Sequence, residues 1–194
     1  ALLTILKAWG TMGLGRPDQA IALVDSLSEE DKALPGVALV RAEFAAVSDD
    51  TKTVADNVVK AAHSTWLIRR VRALFPYLAA RQQWATSVKC DLQAVPYDDV
   101  IHVLIVLHAY IQTNGRAGLV RTLERGMKSW PGDGRFLKYL AYLAADGSDS
   151  RWEQLFATMV RSKVDTLSAD ELAVHMEDTF RMNRPDLAWM LYNR

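Results

Sequence analysis

Apolar residues recur at helical spacing along almost the whole chain. Leu67, Val71, Leu74, Phe75 and Leu78 show it most clearly: they fall at i, i+4, i+7, i+8 and i+11, one stripe of a single helix. No stretch alternates apolar and polar residues as a half-buried strand would, so the pattern predicts an all-α chain. It predicts helices over about 2–13 and 17–28, 35–47 and 51–63, 65–80 and 82–94, 98–113 and 116–129, 133–145 and 150–163, and 168–181 followed by a last helix from 185 to the end. The breaks are short and rich in Gly, Pro, Asp and Asn. Gly13 and Gly15 close the first helix, and Pro17 opens the second, where its missing N–H would be unbonded anyway. Ser48, Asp49 and Asp50 are N-cap residues, Asn114-Gly115 splits the fourth pair, and Ser168 with Glu171 forms a capping-box pattern. Pro76 predicts a kink within the third pair.

One phrase occurs near both ends: Arg16-Pro17-Asp18-Gln19-Ala20 and Arg184-Pro185-Asp186-Leu187-Ala188. The copies lie 168 residues apart, or five steps of about 33.6, close to the ~34-residue period of helix-turn-helix arrays. The expected architecture is therefore a helical solenoid of about six antiparallel helix pairs, forming one repeat domain over 1–194. A start without Met and a stop within an amphipathic pattern lead us to expect a segment of a longer protein.

Composition narrows the function. At 194 residues and 50% hydrophobic content the chain can bury a substantial core. Its 23 basic and 23 acidic residues cancel, so no global field draws it to a polyanion, and nucleic acid is disfavoured as a partner. Residues 100–111 are the longest apolar run, which His102 and His108 interrupt and which falls short of the ~20 residues a membrane helix needs. The lone Cys90 makes no internal disulfide; this slightly favours the cytoplasm and leaves the periplasm open.

The helix pairs resemble the tetratricopeptide repeat family. Ala20, Val24 and Leu27 carry the resemblance in the first pair with Gly15 in the turn, and Ala55, Val59 and Ala62 in the second. In the fourth it rests on Leu107, Tyr110, Leu119, Leu123, Gly126 and Pro131. Thr11 departs from the family pattern, which has an aromatic there, and Asp146-Gly147-Ser148-Asp149 replaces the usual turn phrase. The resemblance implies a right-handed superhelical solenoid acting as a non-catalytic protein-protein interaction scaffold, whose first helices line a concave groove for a peptide, helix or partner domain. The alternative is a targeting or regulatory repeat segment of a larger enzyme, secretion or envelope-assembly protein.

Mapped onto that groove, the candidate partner-binding residues are Trp9, His108, Gln112, Arg135, Lys138, Tyr142 and Arg181. Arg69 and Arg72, one turn apart, form a basic patch that could clamp a carboxylate or phosphate. Each has a plainer reading: Trp9 and Tyr142 as side chains buried between pairs, His108 as a half-buried packing residue, the arginines as a solvated helix face. Ile5 and Trp9 occupy the slots where the co-chaperone branch of the family grips a C-terminal carboxylate, which argues against that activity. The four histidines lack the spacing of a zinc site, and Gly13-Leu14-Gly15 follows no strand and is too short for a phosphate loop. No catalytic residue, metal or cofactor is expected. The last helix, with Leu187, Trp189, Met190 and Leu191, is where a homodimer face could lie.

Overall fold

The computed structural model describes residues 1–92 and 95–193, and among these the regular elements are helical, with no strand. The chain divides into two compact units, Ala1–Thr122 and Leu123–Arg194. The first contains α1 (Leu2–Gly13), α2 (Pro17–Asp25), α3 (Glu29–Lys32), α4 (Pro35–Val47), α5 (Thr51–Ala62), α6 (Ile68–Ala73), α7 (Phe75–Ala80), α8 (Trp84–Lys89), α9 (Val100–Gln112) and the start of α10 (Arg116–Ser129). The second contains the end of α10, then α11 (Leu137–Ala145), α12 (Ser150–Lys163), α13 (Ala169–Arg181) and α14 (Pro185–Tyr192). Short 3-10 turns at Thr65–Leu67, Gly134–Phe136 and Val164–Thr166 join some of them.

Local chemistry sets the helix starts. Pro17, Pro35 and Pro185 each occupy a first helical position. Asp50, Asp99 and Asp149 accept hydrogen bonds from the backbone N–H groups of Thr53, Ile101 and Arg151, and Ser168 and Glu171 form the expected capping box. Sequence neighbours then pack together: α1 on α2, α4 on α5, α8 on α9, α11 on α12 and α13 on α14.

The turns share one geometry. Gly15, Asp49, Gln82, Asn114, Gly147 and Asn183 are left-handed, with φ between 53 and 73°, and stand 34, 33, 32, 33 and 36 residues apart; Gly132, with φ 75°, is left-handed too and falls outside this series. In five of these turns the next N–H closes on the carbonyl five residues before it: Arg16 on Thr11, Asp50 on Ala45, Gln83 on Leu78, Gly115 on Tyr110 and Arg184 on Thr179, at 2.8 to 3.1 Å. That bond satisfies a carbonyl the helix end leaves orphaned. Asn and Asp reach this conformation more readily than other non-glycine residues, which leaves Gln82 as the costliest member.

Counting from these residues aligns the core. Five positions on stand Ala20, Val54, Ser87, Leu119, Trp152 and Ala188, all buried. Nine positions on stand Val24, Val58, Leu123 and Phe156, all buried, together with Asp91, which is half-buried, and Tyr192, which is exposed. The register corrects one sequence reading: in α5 the buried residues are Val54, Val58 and Ala61, one position before Ala55, Val59 and Ala62, although Ala62 is buried as well. Near Pro76 the chain breaks at Leu74, between α6 and α7, where a single kinked helix was expected. The following helix is shorter than expected, and its expected end at Ala94 lies outside the described residues, as does the chain's last residue. The short α3 was not foreseen, because its Glu-Glu-Asp-Lys turn has no apolar stripe; the Ser28 side chain caps it.

Candidate functional site

In the first unit the most accessible aromatic side chain is built on a rigid base. Trp9, from α1, packs against the core of Ile5, Ala8, Ala20, Val24, Val37 and Val40. Arg70, from α6, lies with its guanidinium carbon 4.4 Å from the Trp9 ring centre. Glu43, from α4, holds it there: Arg70 Nε and Nη2 donate to Glu43 Oε1 at 3.0 and 2.8 Å, and Nη2 also donates to Oε2 at 2.9 Å. Burial pushes the Glu43 carboxyl up from its ordinary value, against the opposing pull of Arg70. Trp66, in the 3-10 turn before α6, meets Trp9 edge to face at 5.9 Å and remains 61% exposed.

The arginine patch separates. Arg69 is exposed and lies 3.3 Å from Asp98. Arg72 is fully buried, and this overturns its expected place on a solvated face beside Arg69. It stands ten positions before Gln82; at the same offset Ile5, Leu39 and Leu137 are buried, Leu104 is half-buried and Ala173 is exposed. Its guanidinium donates to the Pro96 and Val95 carbonyls at 2.6 and 2.8 Å and lies 4.1 Å from the Tyr97 ring centre. Asp91 anchors the same region by accepting from the hydroxyls of Tyr97, of Tyr110 at 3.0 Å and of Thr122 at 3.2 Å. His108 is half-buried against the Trp84 edge at 4.9 Å, and its Nε2 lies 3.4 Å from Gln112 Nε2.

In the second unit, Arg135 and Lys138 line an open cleft of about 260 Å³ with Gly134, Asp170, Glu171, Val174 and His175. Asp133 binds Arg135 through two side-chain bonds, at 2.9 and 2.6 Å. His175 is buried against the Phe156 ring at 6.0 Å, with Nδ1 3.2 Å from Asp178. Tyr142 is 45% exposed, and Arg181 is engaged on its own helix by Glu177 at 2.5 Å and Asp178 at 3.8 Å. Of the residues expected in a groove, the structure therefore joins His108 to Gln112 and Arg135 to Lys138.

Trp66 and Glu43 did not stand out in the sequence, whereas Arg70 lies in the run Arg69, Arg70, Arg72 that forms its densest basic cluster. Trp66 and Arg70, four residues apart, carried a local signal, but Glu43 is supplied from 27 residues away. Cys90 is fully buried, and burial pushes its thiol up to about 12, which keeps it a neutral thiol near pH 7. Among the described residues no group of three His, Cys, Asp or Glu side chains is placed to hold a metal ion, and no helix is long and apolar enough to cross a membrane. Compared with family models, with curated proteins and with solved structures, the chain gives no significant match.

Proposed function

We propose that the chain is a non-catalytic protein-interaction scaffold, built from tetratricopeptide-like helix pairs, whose first helices offer side chains to a peptide, a helix or a partner domain. The regular series of left-handed turns, with buried residues repeating in register after them, supports the repeat reading. The observation that carries the binding reading is Trp66. It is a large, open indole resting on Trp9, and the Arg70–Glu43 clamp fixes that base before any partner arrives. Preorganisation of this kind limits the entropy lost on binding, and exposed Trp beside Arg is the side-chain chemistry that dominates protein interfaces. With 61% of its surface open, covering Trp66 contributes about 3 kcal/mol at ~25 cal/mol per Å².

The test is selection of peptides from a displayed library on the native chain, followed by titration of the winners. Trp66→Ala should weaken them about 100-fold while circular dichroism stays unchanged. Peptides that bind the alanine variant as tightly as the native chain would refute the assignment.

A further inference from the structure

Asn114-Gly115, in the turn between α9 and α10, is the one Asn-Gly step in the chain. This pair is chemically unstable in water. The glycine nitrogen, once deprotonated, attacks the asparagine side-chain carbonyl, and glycine has no Cβ to hinder the approach. A bond forms between Gly115 N and Asn114 Cγ, the Cγ–Nδ2 bond breaks, and ammonia leaves with a proton that replaces the one the amide gave up. Water then opens the cyclic imide. Attack at Cγ gives aspartate with the ordinary backbone. Attack at the main-chain carbonyl gives isoaspartate, whose main chain runs through the former side chain and is longer by a methylene.

Packing accounts for this reactive pair. Asn114 is left-handed at φ 55°, a conformation Asn reaches more readily than most residues, and a Cβ on Gly115 would lie 2.6 Å from Tyr110 Cδ1. The Tyr110 ring is itself tied through its hydroxyl to Asp91 at 3.0 Å. The same packing restrains the attacking atom: Gly115 N–H donates to the Tyr110 carbonyl at 2.8 Å, and Arg116 N–H donates to the Asn114 carbonyl at 3.1 Å. An amide whose proton is held in a hydrogen bond is harder to deprotonate, so the turn must open before the nitrogen can leave Tyr110 and reach the side chain. Asn114 is exposed, and water is therefore at hand whenever the turn opens.

A second turn shows which product the fold accepts. Asp49 holds the equivalent position at φ 58°, and Asp50 N–H closes on the Ala45 carbonyl at 2.9 Å. Aspartate at position 114 therefore fits the turn that asparagine occupies. Isoaspartate does not: its extra methylene displaces Gly115, which has no room beside the Tyr110 ring and no slack in its bond to the Tyr110 carbonyl.

We infer that Asn114 is a latent deamidation site, kept intact by the closed turn between α9 and α10 and converted, when that turn opens, partly into an isoaspartate that stops it from closing again. This modification is independent of the Trp66 surface. The test incubates the full chain and a free peptide of residues 111–117 in the same buffer near pH 7, with peptide mapping by electron-transfer fragmentation to separate asparagine, aspartate and isoaspartate at position 114. The native chain should react more slowly than the peptide by at least about tenfold, the factor set by how rarely its turn is open and equivalent to about 1.4 kcal/mol. Asn114→Asp should unfold at the same urea concentration as the native chain. Chain aged in urea and refolded by dilution should then divide under a brief protease pulse, with the aspartate form resistant and the isoaspartate form cut near the turn. Equal rates in chain and peptide would overturn the inference. So would an Asn114→Asp chain that unfolds at markedly lower urea, or isoaspartate-bearing molecules as resistant to protease as the rest.

Discussion

Replacing Arg72 with Met isolates what a buried guanidinium contributes to the first unit. Methionine keeps most of the apolar stem and packs flexibly, so the main loss is polar. Two carbonyls, those of Val95 and Pro96, forfeit donors at 2.8 and 2.6 Å, and hydrogen bonds from a charged donor are each worth about 1.5–3 kcal/mol. The cation over Tyr97 at 4.1 Å adds about 2 kcal/mol in a desolvated setting. Against this stands a gain, because the variant no longer strips water from a charge, a cost of several kcal/mol for a buried ion. The balance leaves Arg72→Met less stable by about 2–4 kcal/mol, and Arg72→Lys, with one donor head in place of a fork, should fall between. Urea denaturation followed by circular dichroism measures both, with hydrogen exchange at Tyr97 reporting the segment that Arg72 ties down. A change under about 1 kcal/mol for Arg72→Met, with unaltered exchange at Tyr97, would show that the two carbonyl bonds merely offset desolvation.

Gly118→Ala should destabilise the chain by about 1–3 kcal/mol in the same denaturation assay, since a Cβ there would lie 2.1 Å from the Tyr110 ring, which its hydroxyl bond to Asp91 holds in place. Glu43 sets the sign of a pH effect. Its carboxyl is raised above 4.5 in the folded chain, first by burial, so the folded state holds that proton more tightly than the unfolded state does. Its contribution is fully present below 4.5 and declines as pH rises through the folded value. The stability of the native chain relative to Glu43→Gln should therefore fall between pH 4 and 7; a rise over that window would mean that the Arg70 attraction outweighs burial.

Much of the fold was legible because its punctuation is local. Gly15, Asn114 and Gly147 announce turns wherever they stand, and Ser168 with Glu171 announces a helix start. The register of α5 was misread by one residue because Ser48, Asp49 and Asp50 read alike as cap residues, while only Asp49 is left-handed and only Asp50 caps the helix. Arg72 was misread for a different reason. Helical spacing placed it beside Arg69, yet its burial depends on carbonyl acceptors 23 and 24 residues away, which no local pattern reveals. The Arg70–Glu43 clamp was hidden in the same way, and with it the support beneath Trp66. Tyr142, read in part as interior, is 45% exposed.

The evenly placed left-handed turns bear on how the chain reaches its native state. Each closes a hairpin from residues already near one another, so little loop entropy is lost before the first helix–helix contacts form. Contacts dominated by such close neighbours in sequence favour rapid folding.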